Sequence, residues 1–250
     1  MTGQMPRVAF FPDSFNEVNG VAHTSRHFES FARKSNLPFL CVRAGTRAMA
    51  LEKSGNVWTL ELPRSAFSIP LEKDLSFDPA YWRHLPLVEE TMQDFSPDLI
   101  HITGPSDVGL LGAGFSRNWR LPLAASWHTN VHEYAGRRFK HLLRILPQTH
   151  AIGAAEVVEE CAMEIARQFY SAAEIIFAPN HELCIKLERT IGRPCYLMPR
   201  GVDSELFDPQ KRTRSYEDKE YVLGYVGRLS IERMFGCWRR SKRNSGVYPG

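Results

Sequence analysis

Short apolar runs alternate with amphipathic stretches from Arg7 to Met198, and this alternation restricts what the chain can fold into. DLIHI (Asp98 to Ile102), Leu121 to Ser126, Glu174 to Ala178 and Pro194 to Met198 read as strands, and the runs RVAFF (Arg7 to Phe11) and Leu37 to Val42 are apolar on nearly every residue. Strands with only one buried face would alternate polar and apolar; these predict burial on both faces, as in a parallel sheet. Between them lie predicted helices. Val21 to Lys34 has Phe28 and Phe31 on its apolar side, and Tyr81 to Asp94 is closed by Ser96-Pro97. Asp107 to Asn118 takes Ser106 as N-cap. Further helices are predicted at about Arg138 to Leu146, Ala155 to Tyr170 and His181 to Arg189. Weaker signals give a strand at Asn56 to Leu60 and an irregular loop at Ser65 to Ile69. Parallel neighbours need right-handed crossovers. The fold class expected is therefore α/β, a Rossmann-like doubly wound parallel sheet.

The pattern changes after about residue 210. Lys211 to Glu220 (KRTRSYEDKE) is charged, has no aliphatic residue, and reads as a linker. Tyr221 to Ser230 (YVLGYVGRLS) is a strand running into a Gly-Arg turn, the look of a second domain's opening. Ile231 to Gly250 has neither helical nor strand periodicity. The expected organisation is one domain over residues 1–210, a linker over 211–220, and the start of another domain over 221–250.

Composition narrows the function classes. A formal net charge of +3 is too small to argue for nucleic acid as a partner. The five cysteines are scattered without any C-x-x-C, which suggests neither a disulfide framework nor a zinc knuckle and fits a reducing cytoplasm. Met1 to Arg7 has no apolar segment of a signal peptide, and no apolar run approaches the ~20 residues that span a bilayer.

Ligands of open parallel sheets sit beyond the carboxyl ends of the strands. Three polar loops occupy that position: Asp13 to Gly20, Gly104 to Asp107, and Trp127 to Tyr134 (WHTNVHEY). Asn19-Gly20 directly before a helix suits either close approach of a phosphate or a tight turn. The G-x-x-G-x-G run Gly109 to Gly114 falls inside a helix and reads as close packing. His128, His132 and Glu133 lack a third metal ligand and the H-E-x-x-H order, so metal binding is not expected. A histidine at a strand's carboxyl end either faces a bound substrate or is satisfied within the fold. Phe139, Leu142, Leu143 and Leu146 line one face of a helix whose other side carries Arg137, Arg138, Lys140 and Arg144. Such a helix packs on a core with a solvated basic face, or docks on anionic lipid at the inner face of a membrane.

The ordered pieces resemble the N-terminal half of a family-4 retaining glycosyltransferase of the GT-B fold, the group that includes lipid mannosyltransferases and sulfoquinovosyl-lipid synthases. FFPDSFNEVNGVAHTSRHF resembles the family's first strand, its NGV loop and its first helix. DLIHITGP resembles the strand reading D-hydrophobic-hydrophobic-H, and ASWHTNVHEY the YHT segment. RGVDSELFDP, Arg200 to Pro209, resembles the NGVD…F signature, and GYVGRLSIER resembles GRLSPEKN at the opening of the second domain. The resemblance implies transfer of a sugar, with retention, from a nucleotide diphosphate sugar to a lipid or glycan hydroxyl. The nucleotide sugar is a co-substrate, and no metal or other cofactor is implied. Gly20 would approach the donor diphosphate, His128 would be the catalytic residue facing the donor sugar, and Arg228 would contact the diphosphate. Arg233 stands where the family has lysine, which keeps the charge but alters its geometry. Asp13, Asn19, His132 and Glu133 would face or support the acceptor.

Nothing after Arg233 matches the family. RMFGCWRRS can be generated from one choice of codons for a family-like KNVRLLAEI read one nucleotide out of frame, which is the hypothesis adopted for this tail. Residues 221–250 are therefore expected to be an incomplete or frame-shifted start of the donor domain, and the chain is expected to be inactive; the alternative is a non-catalytic remnant that binds acceptor or membrane.

Overall fold

The computed structural model describes residues 5–45, 48–72, 75–127, 160–161 and 163–211. The chain separates into two compact units, Met1–Gly201 and Val202–Gly250. In the first, an eight-stranded sheet forms among the described residues. Its strands are β1 (Val8–Phe11), β2 (Phe39–Gly45), β3 (Ala50–Ser54), β4 (Val57–Pro63), β7 (Leu99–Ile102), β8 (Leu123–Ser126), β9 (Ile175–Ala178) and β10 (Cys195–Leu197). The order is β10-β9-β8-β7-β1-β2-β4-β3. Every pairing is parallel except β3 with β4. Before β7, β5 (Ile69–Glu72) and β6 (Leu75–Phe77) form a separate two-stranded antiparallel ribbon.

The helices that cross between strands are α1 (Gly20–Lys34), α2 (Leu85–Phe95), α3 (Asp107–Trp119), α4 (residues 163–171) and α5 (His181–Ile191). They divide between the two faces of the sheet. On one face, Phe10, Phe39, Cys41 and Val57 pack with Ala32 of α1, and the half-buried Phe28 lies against them. On the other, Ala9, Phe11, Leu40, Val42, Ile100, Ile102 and Ile176 pack with α2 through Met92 and Phe95, with α3 through Leu111 and Phe115, and with α5 through Leu187. Alternate residues of β1 thus enter opposite cores, which is why its sequence is apolar throughout. The doubly wound α/β, Rossmann-like expectation holds.

The described elements follow the sequence reading with shifts of a few residues, and differ in three places. Phe31 is 63% exposed; the buried side of α1 is Ala22, Ser25, Glu29 and Ala32. Ser25, Glu29 and Ala32 follow one another at four- and three-residue steps along the helix, and Phe31 lies off that stripe. Glu29 is tolerated there because Arg33 and Arg43 both pair with it. Strand β3 has no counterpart in the apolar pattern because all five of its residues are exposed on an edge. The β5–β6 ribbon was likewise not legible. The predicted helix at 138–146 lies outside the described residues, as does the stretch 212–250.

The close-packing reading of the α3 glycines is correct for two of the three. A Cβ on Gly109 would overlap the carbonyl oxygen of Gly104, and one on Gly112 would come within 2.8 Å of the Phe11 ring, whereas Gly114 faces open space. Of the second unit, residues 202–211 are described. Asp203 accepts the amides of Glu205 and Leu206, Asp208 accepts that of Gln210, and Pro209–Lys211 forms one 3-10 turn.

Two substitutions separate packing from helix propensity. Gly109→Ala must push α3 away from the loop after β7 and is expected to lower unfolding stability by about 2 kcal/mol or more. Gly114→Ala relieves an unneeded glycine in a helix and is expected to raise it by roughly 0.5–1 kcal/mol. Urea unfolding of both variants checks the pair.

Candidate functional site

The direction of winding reverses at β1: the chain goes from β1 to β2 on one side and later adds β7 on the other. At such a point the loops at the carboxyl ends of the two central strands diverge and leave a crevice. Here those loops are 12–19, after β1, and 103–106, after β7.

Asp13 joins the two loops. Its backbone amide donates to Thr103 Oγ1 at 2.7 Å, and its Oδ1 accepts the Ser106 hydroxyl at 2.6 Å. The same Ser106 oxygen accepts the Gly109 amide at 3.0 Å and so caps α3. Gly104 is glycine because a Cβ there would overlap Asp13 Oδ2. Tyr170 of α4 closes the arrangement from beneath, its hydroxyl donating toward the carbonyls of Thr103 and Ser126 at 3.3 and 3.4 Å. Burial pushes the Asp13 carboxyl up to about 6; the Ser106 hydrogen bonds oppose the shift and the nearby Asp107 adds to it. Burial also raises the Tyr170 phenol well above its ordinary value, with the Asp13 charge adding to the effect, so it remains a donor.

A second carboxylate underpins α3. Asp107 is buried, pairs with Arg64 through two contacts of 3.0 Å, and accepts the Asp78 amide at 3.1 Å. Burial alone would raise Asp78, but the hydrogen bonds from Arg83, Ser65 and Ala80 outweigh it and hold the carboxyl well below the usual range. Arg64, Ser65 and Asp78 thereby tie the segment that follows β4 to the start of α3. This network holds the frame and leaves Asp13 as the buried acid that joins the loops after β1 and β7.

Asn19 and Gly20 open α1. Asn19 Oδ1 accepts the Ala22 amide at 2.8 Å and its Nδ2 donates to Ser14 Oγ at 3.2 Å, which makes it an N-cap. The space beside Gly20 holds the Arg200 guanidinium, which any Cβ would overlap. That contact was not legible in the sequence, where Arg200 is only the first residue of RGVDSELFDP. His23 and His27, one turn apart on α1, have ring centroids 4.1 Å apart. Their i, i+4 spacing was the available signal.

At the end of β8, His101 Nε2 and Ser126 Oγ lie 2.6 Å apart, and Trp127 is buried with its amide on the Phe177 carbonyl and its ring against Tyr170. The described residues stop there. His128, His132, Glu133, Arg137, Arg138, Lys140, Arg144, Arg228 and Arg233 all lie outside them, so Asp13, Asn19 and Gly20 are the predicted site residues the structure brings together.

The model of Glycosyltransferase Family 4 matches residues 39–206, two thirds of the chain. The chain belongs to Glycosyltransferase Family 4. Among curated proteins, this family-4 chain is 26% identical over 239 residues to a GDP-mannose-dependent alpha-mannosyltransferase of Corynebacterium glutamicum, covering 92% of the chain and 53% of that protein. It is 23% identical over 247 residues to a sulfoquinovosyl transferase of Arabidopsis thaliana, covering 91% of the chain and 42% of that protein. The chain therefore spans about half the length of the curated relatives it matches. A solved glycosyltransferase from Rickettsia africae superposes with a TM-score of 0.47 at 10% identity, covering 97% of this chain and 51% of that one.

The Asp13 shift fixes a sign for pH dependence. The folded chain holds a proton on Asp13 up to about pH 6, whereas the unfolded chain releases it near its ordinary value of 3.8. Between those values the folded state binds more protons, so this group stabilises the fold progressively as pH falls from 7 toward 4, by up to roughly 2–3 kcal/mol. Asp13→Asn keeps an acceptor for Ser106 and cannot ionise. It is expected to be the more stable protein at pH 7.5, with the difference vanishing near pH 4. Thermal unfolding across that range measures it, and parallel profiles for the two proteins would contradict it.

Proposed function

We propose that the chain carries the acceptor-side half of a retaining, nucleotide-sugar-dependent glycosyltransferase site. The observation that carries this reading is the pair of loops after β1 and β7, where the winding of the sheet reverses, in a chain whose family match takes in β7 and α3. Sugar transfer needs the anomeric carbon held against an acceptor hydroxyl while charge on the departing diphosphate is neutralised. In this proposal His128, which follows directly on the buried Trp127 at the end of β8, faces the donor sugar. Asp13 orients an acceptor hydroxyl, for which a carboxyl titrating at about 6 is an effective hydrogen-bond acceptor at neutral pH. Arg228 and Arg233 supply cations to the diphosphate from the donor side. The names of the Corynebacterium and Arabidopsis relatives make a mannosyl or sulfoquinovosyl donor the first to test.

The acceptor we propose is a lipid or glycan hydroxyl, with Arg137, Arg138, Lys140 and Arg144 meeting an anionic membrane surface. No helix among the described residues is long and apolar enough to cross a membrane. Most of the stabilisation of a departing diphosphate comes from charges preorganised by both domains. Assayed alone, the 250-residue chain is accordingly expected to turn over no nucleotide sugar.

The test is a transfer assay with GDP-mannose and a panel of other nucleotide sugars, run on the chain and on a version whose reading frame is restored after Glu232. Activity is expected only in the restored version, with His128→Ala lowering it by about 100-fold or more. Turnover by the 250-residue chain that His128→Ala removes would overturn the inactive reading. A restored version indifferent to His128→Ala would overturn the role given to that histidine.

A further inference from the structure

Arg200 and Gly201 cross the first two turns of α1. The Arg200 guanidinium fills the space beside Gly20, and a Cβ on Gly201 would lie 3.8 Å from His27 Nδ1. His23 stands between these contacts, its ring against His27. Burial lowers the His23 pKa, and His27, Arg26 and Arg200 lower it further by like-charge repulsion.

The acids in reach do not answer these charges. The first turn of α1 contains none, and none of the ion pairs among the described residues involves Arg200, His23, His27 or Arg26. Glu17 in the preceding loop turns its carboxylate onto the Phe15 amide. Arg26 donates to the backbone carbonyls of Phe15 and Glu17, which fixes the loop but leaves its charge in place. The helix opening adds little by itself, since the Asn19 side chain already takes the Ala22 amide. What remains is a guanidinium and two imidazoles gathered on an exposed surface beside the crevice.

We propose that Arg200, His23 and His27 bind a phosphoryl group of the substrate on the first two turns of α1. A guanidinium offers paired donors to a tetrahedral oxyanion, and two imidazoles spaced one turn apart reach its remaining oxygens. Gly20 then has a role apart from backbone approach to a ligand: it leaves room for Arg200 to lie against the helix. The substrate assignment rests on the sugar-transfer reading, but phosphoryl binding itself does not. The group could come from a diphosphate on the donor or a phosphate ester on the acceptor, and both present the same chemistry.

The sign of the pH effect follows from the geometry. A dianion beside His23 cancels the repulsion from Arg200, Arg26 and His27 and favours the imidazolium, so binding takes up a proton and tightens as pH falls through the imidazole range. Exposed charges also make the affinity fall as salt rises.

The experiment is imidazole NMR on the full chain labelled at histidine, titrated with inorganic phosphate, with glycerol 3-phosphate and with GDP. Phosphate is expected to shift the His23 and His27 signals together and to raise the His23 pKa. Arg200→Gln should weaken binding about tenfold or more, and His27→Gln should weaken it less. Gly20→Ala, which keeps every charge but pushes the flexible guanidinium off the helix, should weaken it as well. Competition between GDP and phosphate at these signals assigns the site to the donor diphosphate; glycerol 3-phosphate binding that GDP leaves untouched assigns it to an acceptor phosphate. Histidine signals unmoved by all three ligands, or binding that survives Arg200→Gln unchanged, would overturn the proposal. Because the readout needs no turnover, it stands or falls separately from the transfer assay.

Discussion

The hydrogen bond from Ser106 to Asp13 is the contact on which the candidate site depends. At 2.6 Å it spans 93 residues and joins the loops at the ends of the two strands where the sheet reverses its winding. Its geometry requires two glycines: Gly104, which leaves room for the carboxylate, and Gly109, which lets α3 start directly against the Gly104 carbonyl. The serine also caps α3, so one hydroxyl fixes the helix and orients the acid. Much of the Asp13 ionisation cost stays with the folded state, as its upward pKa shift records. An acid held this way is better explained by a role in the crevice than by stability, since a neutral residue would hold the loops with less cost.

The second organising constraint is separation of polar tasks. Asp78, Asp107, Arg64 and Arg83 are consumed by one another and by backbone amides, and they hold the segment after β4 to α3. Glu29, Arg33, Arg43 and Glu61 do the same on the opposite face, between α1 and the strands β2 and β4. Against that background of paired charges, Arg200, His23 and His27 form a basic group that takes part in none of the ion pairs among the described residues. Anionic ligands seek such places because no desolvated internal partner has to be displaced.

The fold was legible because burial on both faces of a parallel strand leaves an apolar run that no surface strand shares. β1, β2, β7, β8 and β9 were found for that reason. β3 was not: on an edge, with Glu52 and Lys53 exposed, its sequence ALEKS carries no period to read. Phe31 misled because an aromatic residue suggests burial, yet it lies off the stripe that α1 turns to the sheet. Of the site, the positions Asp13, Asn19 and Gly20 were legible from their place before a helix and after a central strand. Their roles were not. The N-cap of Asn19, the clasp through Ser106 and the docking of Arg200 each depend on partners 3, 93 and 180 residues away, and only the first of these leaves a local pattern.

Hydrogen exchange of backbone amides, with and without a millimolar nucleoside diphosphate, tests most directly whether the crevice at β1 and β7 is the ligand site. The account predicts slowed exchange concentrated in residues 13–27 and 103–109, with no change at a separate slot that Trp127, Met163 of α4 and Leu187 of α5 line. Protection that appears at that slot or along the β3 edge, and leaves both loops unaffected, would contradict it.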